Sequence, residues 1–293
     1  AVSNIILDYL LILYFDMGIA GAAWATTTGY VLSGLYTLWF FLSGNSELKL
    51  STSELRFDLP IVKEITSIGS ITLLRQSMFS LLAIVLYGQL DKWGQVEYAA
   101  ALGDSGGSHA IAIYGLIRGF TLFVAFPNIG IMQGLMPIVS FNYGAKNGQR
   151  VKDSVWLAIK WTTGISLLLL SVIVLFPEDL IAIFTEDKYL LKHTPRVLKL
   201  IFISLPIMGI GFIGGAYFQA VGKPIPALIL TLARQGLIMI PLMYILAHFF
   251  GLDGVWISLP AGEVVAGVWA AVWLYMEVNR LTNKKSPLDK RAL

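Results

Sequence analysis

Apolar residues fall into eight continuous runs along this chain, separated by short polar stretches. All runs but the first reach the 20 or so residues that a helix needs to cross the hydrocarbon core of a bilayer. The runs do not alternate between apolar and polar positions, which favours helices over the strands of a membrane barrel. They span residues 4–15, 19–43, 61–89, 109–141, 155–176, 197–222, 225–250 and 254–278. The pattern predicts an all-α polytopic membrane protein.

Composition supports this class and excludes several others. The chain is 56% hydrophobic and 13% charged, whereas soluble domains are about 25% charged. It has no cysteine, so disulfides, thiolate nucleophiles and cysteine metal sites are excluded. The three histidines lie far apart, without metal-ligand spacing, and there is no Walker A motif or serine–histidine pairing. We therefore expect no cofactor, no use of ATP, no nucleic-acid partner and no enzymatic activity.

Lysine and arginine are divided unequally between the two sets of loops. The loops 44–60, 142–154 and 223–224 and the tail after 278, with the flanking Lys63, hold twelve of them, against five in the opposite loops. Cytoplasmic loops of membrane proteins carry the excess of positive charge. The distribution therefore predicts that the first set of loops and the C-terminus are cytoplasmic.

An internal repeat divides the chain. Gly18–Tyr36, "GIAGAAWATTTGYVLSGLY", aligns with Gly251–Trp269, "GLDGVWISLPAGEVVAGVW", so that four glycines coincide. Repeats of this kind relate the lobes of secondary transporters. We expect an N-terminally truncated chain holding about eight of twelve helices. Its predicted parts are the last two helices of an N-terminal lobe (1–43), a cytoplasmic linker (44–60), a complete six-helix C-terminal lobe (61–279) and a basic tail (280–293).

The fourth run contains several residues that weaken helices. Pro127 removes a backbone donor and predicts a kink. Gly130 and Gly134 leave a smooth strip for close helix contact. Pro137 and then the stretch FNYGAKN (141–147) are predicted to end the helix. Two interpretations follow: a bent helix packed in a bundle, or a hinge whose bend lines a central cavity. Gln133 would face that cavity or a neighbouring helix.

Four stretches, in order along nearly the whole chain, resemble the multidrug and toxic compound extrusion (MATE) family of transporters. They are similar to its fifth-to-sixth helix passage, its seventh helix, its eighth helix with the following loop, and its tenth-to-eleventh passage. In that order they are Asn4–Thr26, Gly69–Gly88, Pro127–Val151 and Tyr217–Leu246.

The resemblance implies a MATE-type helical bundle and a monomeric antiporter in the inner membrane of a bacterium. Such proteins export amphipathic, often cationic, drugs or toxic cations in exchange for Na⁺ or H⁺. One branch of the family carries a glutamate in the seventh helix and an aspartate in the tenth. Here the seventh has Arg75 and Gln76, and the tenth (197–222) has no acid.

Polar and ionisable residues inside membrane helices are costly and usually functional. The candidates for a substrate cavity are Arg75, Gln76, Met78, Phe120, Gln133, Gln219 and Gln235. The candidates for ion coupling or charge pairing are Glu263, Arg118, Arg234 and Asp8. Phe79, Met132 and Met208 either pack or form a soft wall suited to varied ligands.

Several of these roles stay open. Arg75 either lines the cavity or ties two helices together. Glu263 either pairs with an arginine or carries a proton or cation, and Asp8 either caps, pairs or couples. The alternative function is a flippase for a lipid-linked oligosaccharide, which shares the fold but has a more basic cavity. The intramembrane arginines keep that alternative open.

Overall fold

A computed structural model describes residues 2–43 and 58–283 of the chain. Its elements are helical throughout those residues. The helices are α1 (Val2–Asp8), α2 (Gly18–Leu42), α3 (Leu59–Leu102), α4 (Gly106–Gly144), α5 (Gly148–Leu175), α6 (Pro177–Ala182), α7 (Lys188–Phe202), α8 (Leu205–Ala220), α9 (Pro224–Leu232) and α10 (Met239–Asn283). Two π-helical turns, Tyr9–Tyr14 and Ala233–Ile238, follow α1 and α9, and a 3-10 turn, Gly103–Ser105, precedes α4.

The chain divides into two compact units, Ala1–Thr66 and Ser67–Leu293. The first unit includes α1 packed against α2, and the second contains α4 to α10. The predicted linker 44–60 and tail 280–293 lie mostly outside the described residues. The predicted division into lobes therefore stays a prediction.

One predicted boundary was wrong and one was confirmed. The run 197–222 is not one helix, because α7 and α8 meet at a bend of 48°. The predicted division between the runs 225–250 and 254–278 is confirmed, because α10 is interrupted between them at Gly251, whose backbone has φ 58° and ψ −134°. Only glycine adopts that conformation without steric strain.

Fewer helices meet a strict test for spanning than the sequence predicts. Among the described residues, three helical stretches are long and apolar enough to cross a membrane, and the bent pair α7–α8 makes up to four. One of the three, Ile225–Leu281, covers two of the predicted runs. The helices α2 and α3 are not among these stretches, and α2 is rich in glycine and threonine.

The second unit has two apolar cores. One is centred on the buried Trp256 and on Leu90, Ile113 and Leu198, and the other on Tyr217 and Phe218. A buried polar contact joins α4 and α5, where Asn128 donates from Nδ2 to the hydroxyl of Ser166 at 3.5 Å. The two apolar cores, together with this polar contact, hold in place the helices that carry the candidate site.

The helix α4 continues through both of its prolines. Pro137 therefore does not stop the helix by itself, but the helix ends at Gly144, inside the predicted stop at 141–147 and two residues before Lys146 adopts a positive φ of 58°. A Cβ at Gly130 or Gly134 would meet nothing within 4 Å among the described atoms. The described part of the chain thus supplies no close helix partner for these two glycines, and the predicted contact stays a prediction.

The repeated glycines have matching stereochemical roles in the two units. Gly18 and Gly251 both have positive φ, 52° and 58°. A Cβ on Gly21 would lie 2.8 Å from the carbonyl oxygen of Leu11. Its counterpart on Gly254 would lie 2.0 Å from a carbonyl oxygen of the preceding helix. Each hairpin therefore requires glycine at the same two positions, which supports the predicted repeat.

Two ion pairs mark opposite ends of the second unit. Arg196 of α7 pairs with Asp253 of α10 at 2.9 Å, and Lys223 pairs with the mostly buried Glu277 near the other end of α10. The predicted grouping of the loops puts Lys223 on one side and Arg196 and Asp253 on the other, and the structure separates the two pairs in the same way.

Asp187 is the N-cap of α7. Its carboxylate accepts hydrogen bonds from the backbone N–H groups of Leu190 at 3.0 Å and Tyr189 at 2.8 Å. These bonds hold the pKa of Asp187 below its usual range, because they stabilise the charged form.

We expect Asp187→Ala to lower the melting temperature of the purified full-length protein at pH 7. Because the folded-state pKa is depressed, the stabilisation is present above the usual value of about 4 and is lost as pH falls through the folded value. The difference between the two proteins should therefore shrink in acid. Asp187→Asn keeps a capping oxygen and should cost less. Equal melting curves for all three proteins at pH 7 would contradict this role.

Candidate functional site

A pocket of about 400 Å³ opens in the second unit between α3, α4, α8, α9, α10 and the π-helical turn before α10. It brings together five of the predicted polar candidates, Gln76, Gln219, Arg234, Gln235 and Glu263. The predicted soft wall is also there, in Phe79, Met132 and Met208. The pocket thus gathers residues from distant parts of the sequence.

Small residues make room for this pocket. On α8, a Cβ at Gly211 or Gly215 would meet nothing within 4 Å. On the facing side, Ala266, Gly267 and Ala270 of α10 line the pocket. Helices normally fill such gaps with side chains, since protein interiors are close-packed. The open volume therefore follows from glycine and alanine on the two helices.

An ion pair crosses the pocket wall. Nη1 of Arg234 lies 3.6 Å from Oε2 of Glu263, and each side chain is 20% exposed. This separation exceeds the 2.7–2.9 Å that is typical of a charge-assisted hydrogen bond. The guanidinium carbon also lies 5.2 Å from the centre of the Phe212 ring, in a cation–π contact. The charges of Arg234 and Glu263 are thus mostly shielded from water, but their contact with each other is long. Either charged group can therefore also contact a ligand in the pocket.

The neighbouring Gln235 has an unsatisfied polar atom. Its side chain is 8% exposed, and its Oε1 has no hydrogen-bond partner among the described residues. A buried acceptor without a partner costs about 1–3 kcal/mol. Both Arg234 and Gln235 belong to the π-helical turn Ala233–Ile238, a feature that is frequent at functional sites. Met78 packs behind this turn, with its sulfur 3.1 Å from where a Cβ on Gly236 would lie.

The remaining candidates lie elsewhere. Phe120 is 7% exposed and stacks edge-on against Phe184 in the apolar core, so its predicted place in a cavity was wrong. Gln133 is exposed on α4 and is not part of the pocket. Arg118 is also exposed and donates a long hydrogen bond of 3.4 Å to the hydroxyl of Tyr87. It therefore forms no charge pair with a described residue.

Two predicted residues cannot be placed at this pocket. Asp8 belongs to the first unit, where it ends α1. The side chain of Arg75 lies outside the described part of the chain, although its backbone belongs to α3. Their predicted roles stay predictions.

Sequence reasoning missed Phe212 and Thr231, which line the pocket. Phe212 gives no signal as an apolar residue within an apolar run. The glycines around it, at 211, 214 and 215, were the available indication of an uncovered helix face. The side-chain oxygen Oδ1 of Asn128, which is buried without a hydrogen-bond partner among the described residues, was also missed.

The model of the MatE family matches residues 77–245, more than half of the chain. The chain belongs to the MatE family. This is the transporter family whose resemblance the sequence analysis reported, and the matched residues include most of the pocket wall. The chain is accordingly a multi-pass helical membrane protein of a transporter family.

Relatives within the MatE family include multidrug export proteins of staphylococci. The chain is 28% identical over 285 residues to multidrug export protein MepA of Staphylococcus haemolyticus and to that of Staphylococcus aureus. Each alignment covers 97% of this chain and 60% of the relative. The chain thus spans about three fifths of the length of these MatE relatives.

Solved MATE structures share the fold. An outward-facing multidrug resistance MATE family transporter matches with a TM-score of 0.78 at 24% identity, covering 96% of this chain and 61% of that one. An inward-facing structure matches with a TM-score of 0.77 at 23% identity, covering 97% and 63%. A MOP superfamily transporter from Pyrococcus furiosus, described as having a binding pocket of reverse polarity, matches with a TM-score of 0.79 at 24% identity, covering 96% and 61%.

Proposed function

We propose that the full-length protein is a secondary active multidrug efflux antiporter of the bacterial inner membrane. It exports amphipathic or cationic compounds in exchange for Na⁺ or H⁺ by alternating access. The observation that carries the proposal is the pocket around Arg234 and Glu263 in a chain of the MatE family. Membership of that family, and similarity to multidrug export proteins, support the substrate class.

The pocket has the chemistry that binding of varied small molecules requires. Ligand sites combine mostly apolar walls with a few placed polar groups. Methionine and aromatic side chains adapt to different shapes, and here Phe79, Met132, Met208 and Phe212 supply them. Gln76 and Gln219 add neutral hydrogen-bonding groups.

Glu263 is the proposed coupling acid in this unit. Among the described residues that line the pocket it is the one acid, and its partner Arg234 lies too far for a tight bond. A cation or proton that binds Glu263 would weaken its attraction to Arg234 and so shift the balance between conformations. Asp8 of the first unit is the second candidate, and the hinge role of Pro127 is part of the same proposal.

A flippase for a lipid-linked oligosaccharide is supported less well. That function favours a basic cavity for an anionic phosphate group. At this pocket the charge of Arg234 is balanced by Glu263, so the described part of the wall has no net positive charge. Arg118, which the sequence analysis also counted for this alternative, is exposed on another surface.

Efflux assays on full-length protein in everted membrane vesicles test the proposal. We expect Glu263→Gln to slow gradient-driven export of a fluorescent cation such as ethidium by about fivefold or more. Imposing either a Na⁺ or a proton gradient alone identifies the coupling ion. Glu186→Gln, an exposed acid outside the pocket, is the matched control and should transport normally. The proposal fails if neither gradient drives export by the native protein, and the coupling role fails if Glu263→Gln exports at the native rate.

A further inference from the structure

We infer that a groove between α5, α8 and α10 binds an anionic phospholipid, with an acyl chain in the groove and the phosphate on Lys152. The groove is a second cavity of the second unit, with a volume of about 60 Å³. It lies outside the pocket around Arg234 and Glu263. The inference therefore goes beyond the proposed function and does not depend on it.

The groove and the larger pocket use different faces of the helices. On α8, Ile210 lines the groove, whereas its neighbours Gly211 and Gly215 line the larger pocket. The helix α5 lines the groove and contributes no described residue to the larger pocket. A ligand in the groove thus contacts different side chains from a ligand in the larger pocket.

The walls of the groove are apolar from floor to rim. Its floor includes Val155 of α5 and Leu274 and Val278 of α10, each at most 2% exposed. Its rim includes Trp156 and Tyr275, whose exposed rings meet edge to face with 6.4 Å between their centres. Both α5 and this part of α10 belong to stretches that are long and apolar enough to cross a membrane. The exposed rim therefore faces lipid tails, and the groove suits an acyl chain.

The length of α5 places Lys152 at the level of the lipid phosphates. The helix has 28 residues and is thus about 42 Å long, against about 30 Å for the hydrocarbon core of a bilayer. When it is centred in the bilayer, it extends about 6 Å, or about four residues, beyond the hydrocarbon at each end. Lys152 then lies at the boundary, and Trp156 lies one turn inside, in the interfacial region where tryptophan and tyrosine concentrate.

The side chain of Lys152 shares the face of α5 that forms the groove. Residues four apart lie above one another on a helix, so Lys152 is one turn beyond Trp156 on the same face. Helical side chains lean toward the N-terminus of their helix, and α5 begins at this end. The ammonium group therefore extends from the groove toward the headgroups.

The charge of Lys152 is available to an anion. It has no hydrogen bond or ion pair with any described residue, and the acids that are close in sequence to the groove residues have other partners. Asp153 accepts a hydrogen bond from Gln149 at 2.9 Å, and Glu277 pairs with Lys223. Basic groups at the ends of membrane helices attract anionic headgroups. A zwitterionic lipid is less complementary, because its own cation opposes that attraction.

Two lipids with identical acyl chains isolate the effect of the headgroup. Dioleoylphosphatidylglycerol is anionic at neutral pH, and dioleoylphosphatidylcholine is zwitterionic. We expect native mass spectrometry of the purified full-length protein to show one tightly retained phosphatidylglycerol, bound about fivefold more tightly than phosphatidylcholine. Phosphatidylglycerol should also raise the melting temperature more than phosphatidylcholine does, because a ligand that binds the folded state stabilises it.

Variants assign the two parts of the lipid to their contacts. Lys152→Gln should remove the preference for phosphatidylglycerol, and Lys152→Arg, which keeps the charge, should preserve it. Ala271→Phe places a ring in the groove and should weaken retention of both lipids. Lys192→Gln is the matched control, because it removes an exposed lysine of α7 outside the groove. Size-exclusion profiles identify any variant that fails to fold, and the partly exposed Lys152 tolerates substitution if Ala271 does not.

Three outcomes would overturn the inference. Native protein that retains the two lipids equally, or a Lys152→Gln protein that keeps the native preference, would show that Lys152 does not hold the phosphate. A folded Ala271→Phe protein that retains both lipids as the native protein does would show that no acyl chain occupies the groove. A native dimer that Ala271→Phe dissociates would show that a second copy of the chain covers this face. None of these results bears on efflux, which the proposed function places at the pocket around Arg234 and Glu263.

Discussion

Gly254→Ala should prevent stable folding of the second unit. A Cβ at this position would lie 2.0 Å from the carbonyl oxygen of Leu246 and 2.3 Å from its carbonyl carbon. These are backbone atoms of the helix on the other side of the Gly251 break, so no side-chain rotation relieves the clash. Overpacking of a rigid interior costs about 1–3 kcal/mol, and we expect the upper end or more here. The full-length variant should show little folded protein in detergent by size exclusion.

Gly215→Ala is the matched control for this change. It places the same methyl group on a helix, but at a position with nothing within 4 Å. Its expression and melting temperature should equal or exceed the native values, because alanine favours helix formation over glycine by about 1 kcal/mol. A Gly254→Ala protein as stable as Gly215→Ala would show that the hairpin is not packed as described.

The sequence predicted most helices because long apolar runs leave few alternatives in a membrane protein. The α7–α8 break was missed for a physical reason. The helix α7 is strongly amphipathic, with lysines and Arg196 on its exposed face, so counting apolar residues recovers only its second half. Pro206, in the first turn of α8, was the local signal for a new helix start.

The sequence predicted those residues of the candidate site that carry a charge within an apolar run. An ionised side chain in an apolar run is costly unless it has a partner or a function, and that reasoning found Arg234 and Glu263. Apolar residues carry no comparable signal. Phe120 and Phe212 look alike in sequence, yet one is sealed in the core against Phe184 and the other lies beneath a guanidinium. Only the packing of helices distinguishes them.

The glycine repeat shows how much a sparse pattern can contain. Gly18 and Gly251 turn the chain, and Gly21 and Gly254 allow each hairpin to close. Glu263 follows Gly262, whose missing side chain leaves space for Met239. The hairpin at Gly251 within α10 thus also determines the position along the helix at which Glu263 meets Arg234. The residues that close the hairpin, Gly251 and Gly254, and the pocket residue Glu263 therefore lie within one short stretch of the chain.

Removing one member of the Arg234–Glu263 pair should destabilise the protein more than removing both. Arg234→Leu leaves a carboxylate that is four-fifths buried without its counter-ion, and Glu263→Leu does the same to the guanidinium. Breaking a buried pair costs about 3–5 kcal/mol, whereas apolar replacement of both members is often neutral. The 20% exposure of both side chains relieves part of this cost, so we expect about 2 kcal/mol for each single change.

The test is a double-mutant cycle of four proteins: the native protein, the two single variants and the double variant. Their thermal unfolding is measured in one detergent without ligand. The double variant Arg234→Leu/Glu263→Leu should recover most of the stability lost by the single variants, giving a coupling of about 1–3 kcal/mol. Arg196→Leu with Asp253→Leu provides the matched cycle for an exposed pair, where coupling should be below about 1 kcal/mol. Additive losses at Arg234 and Glu263 would mean that the charges are solvated independently.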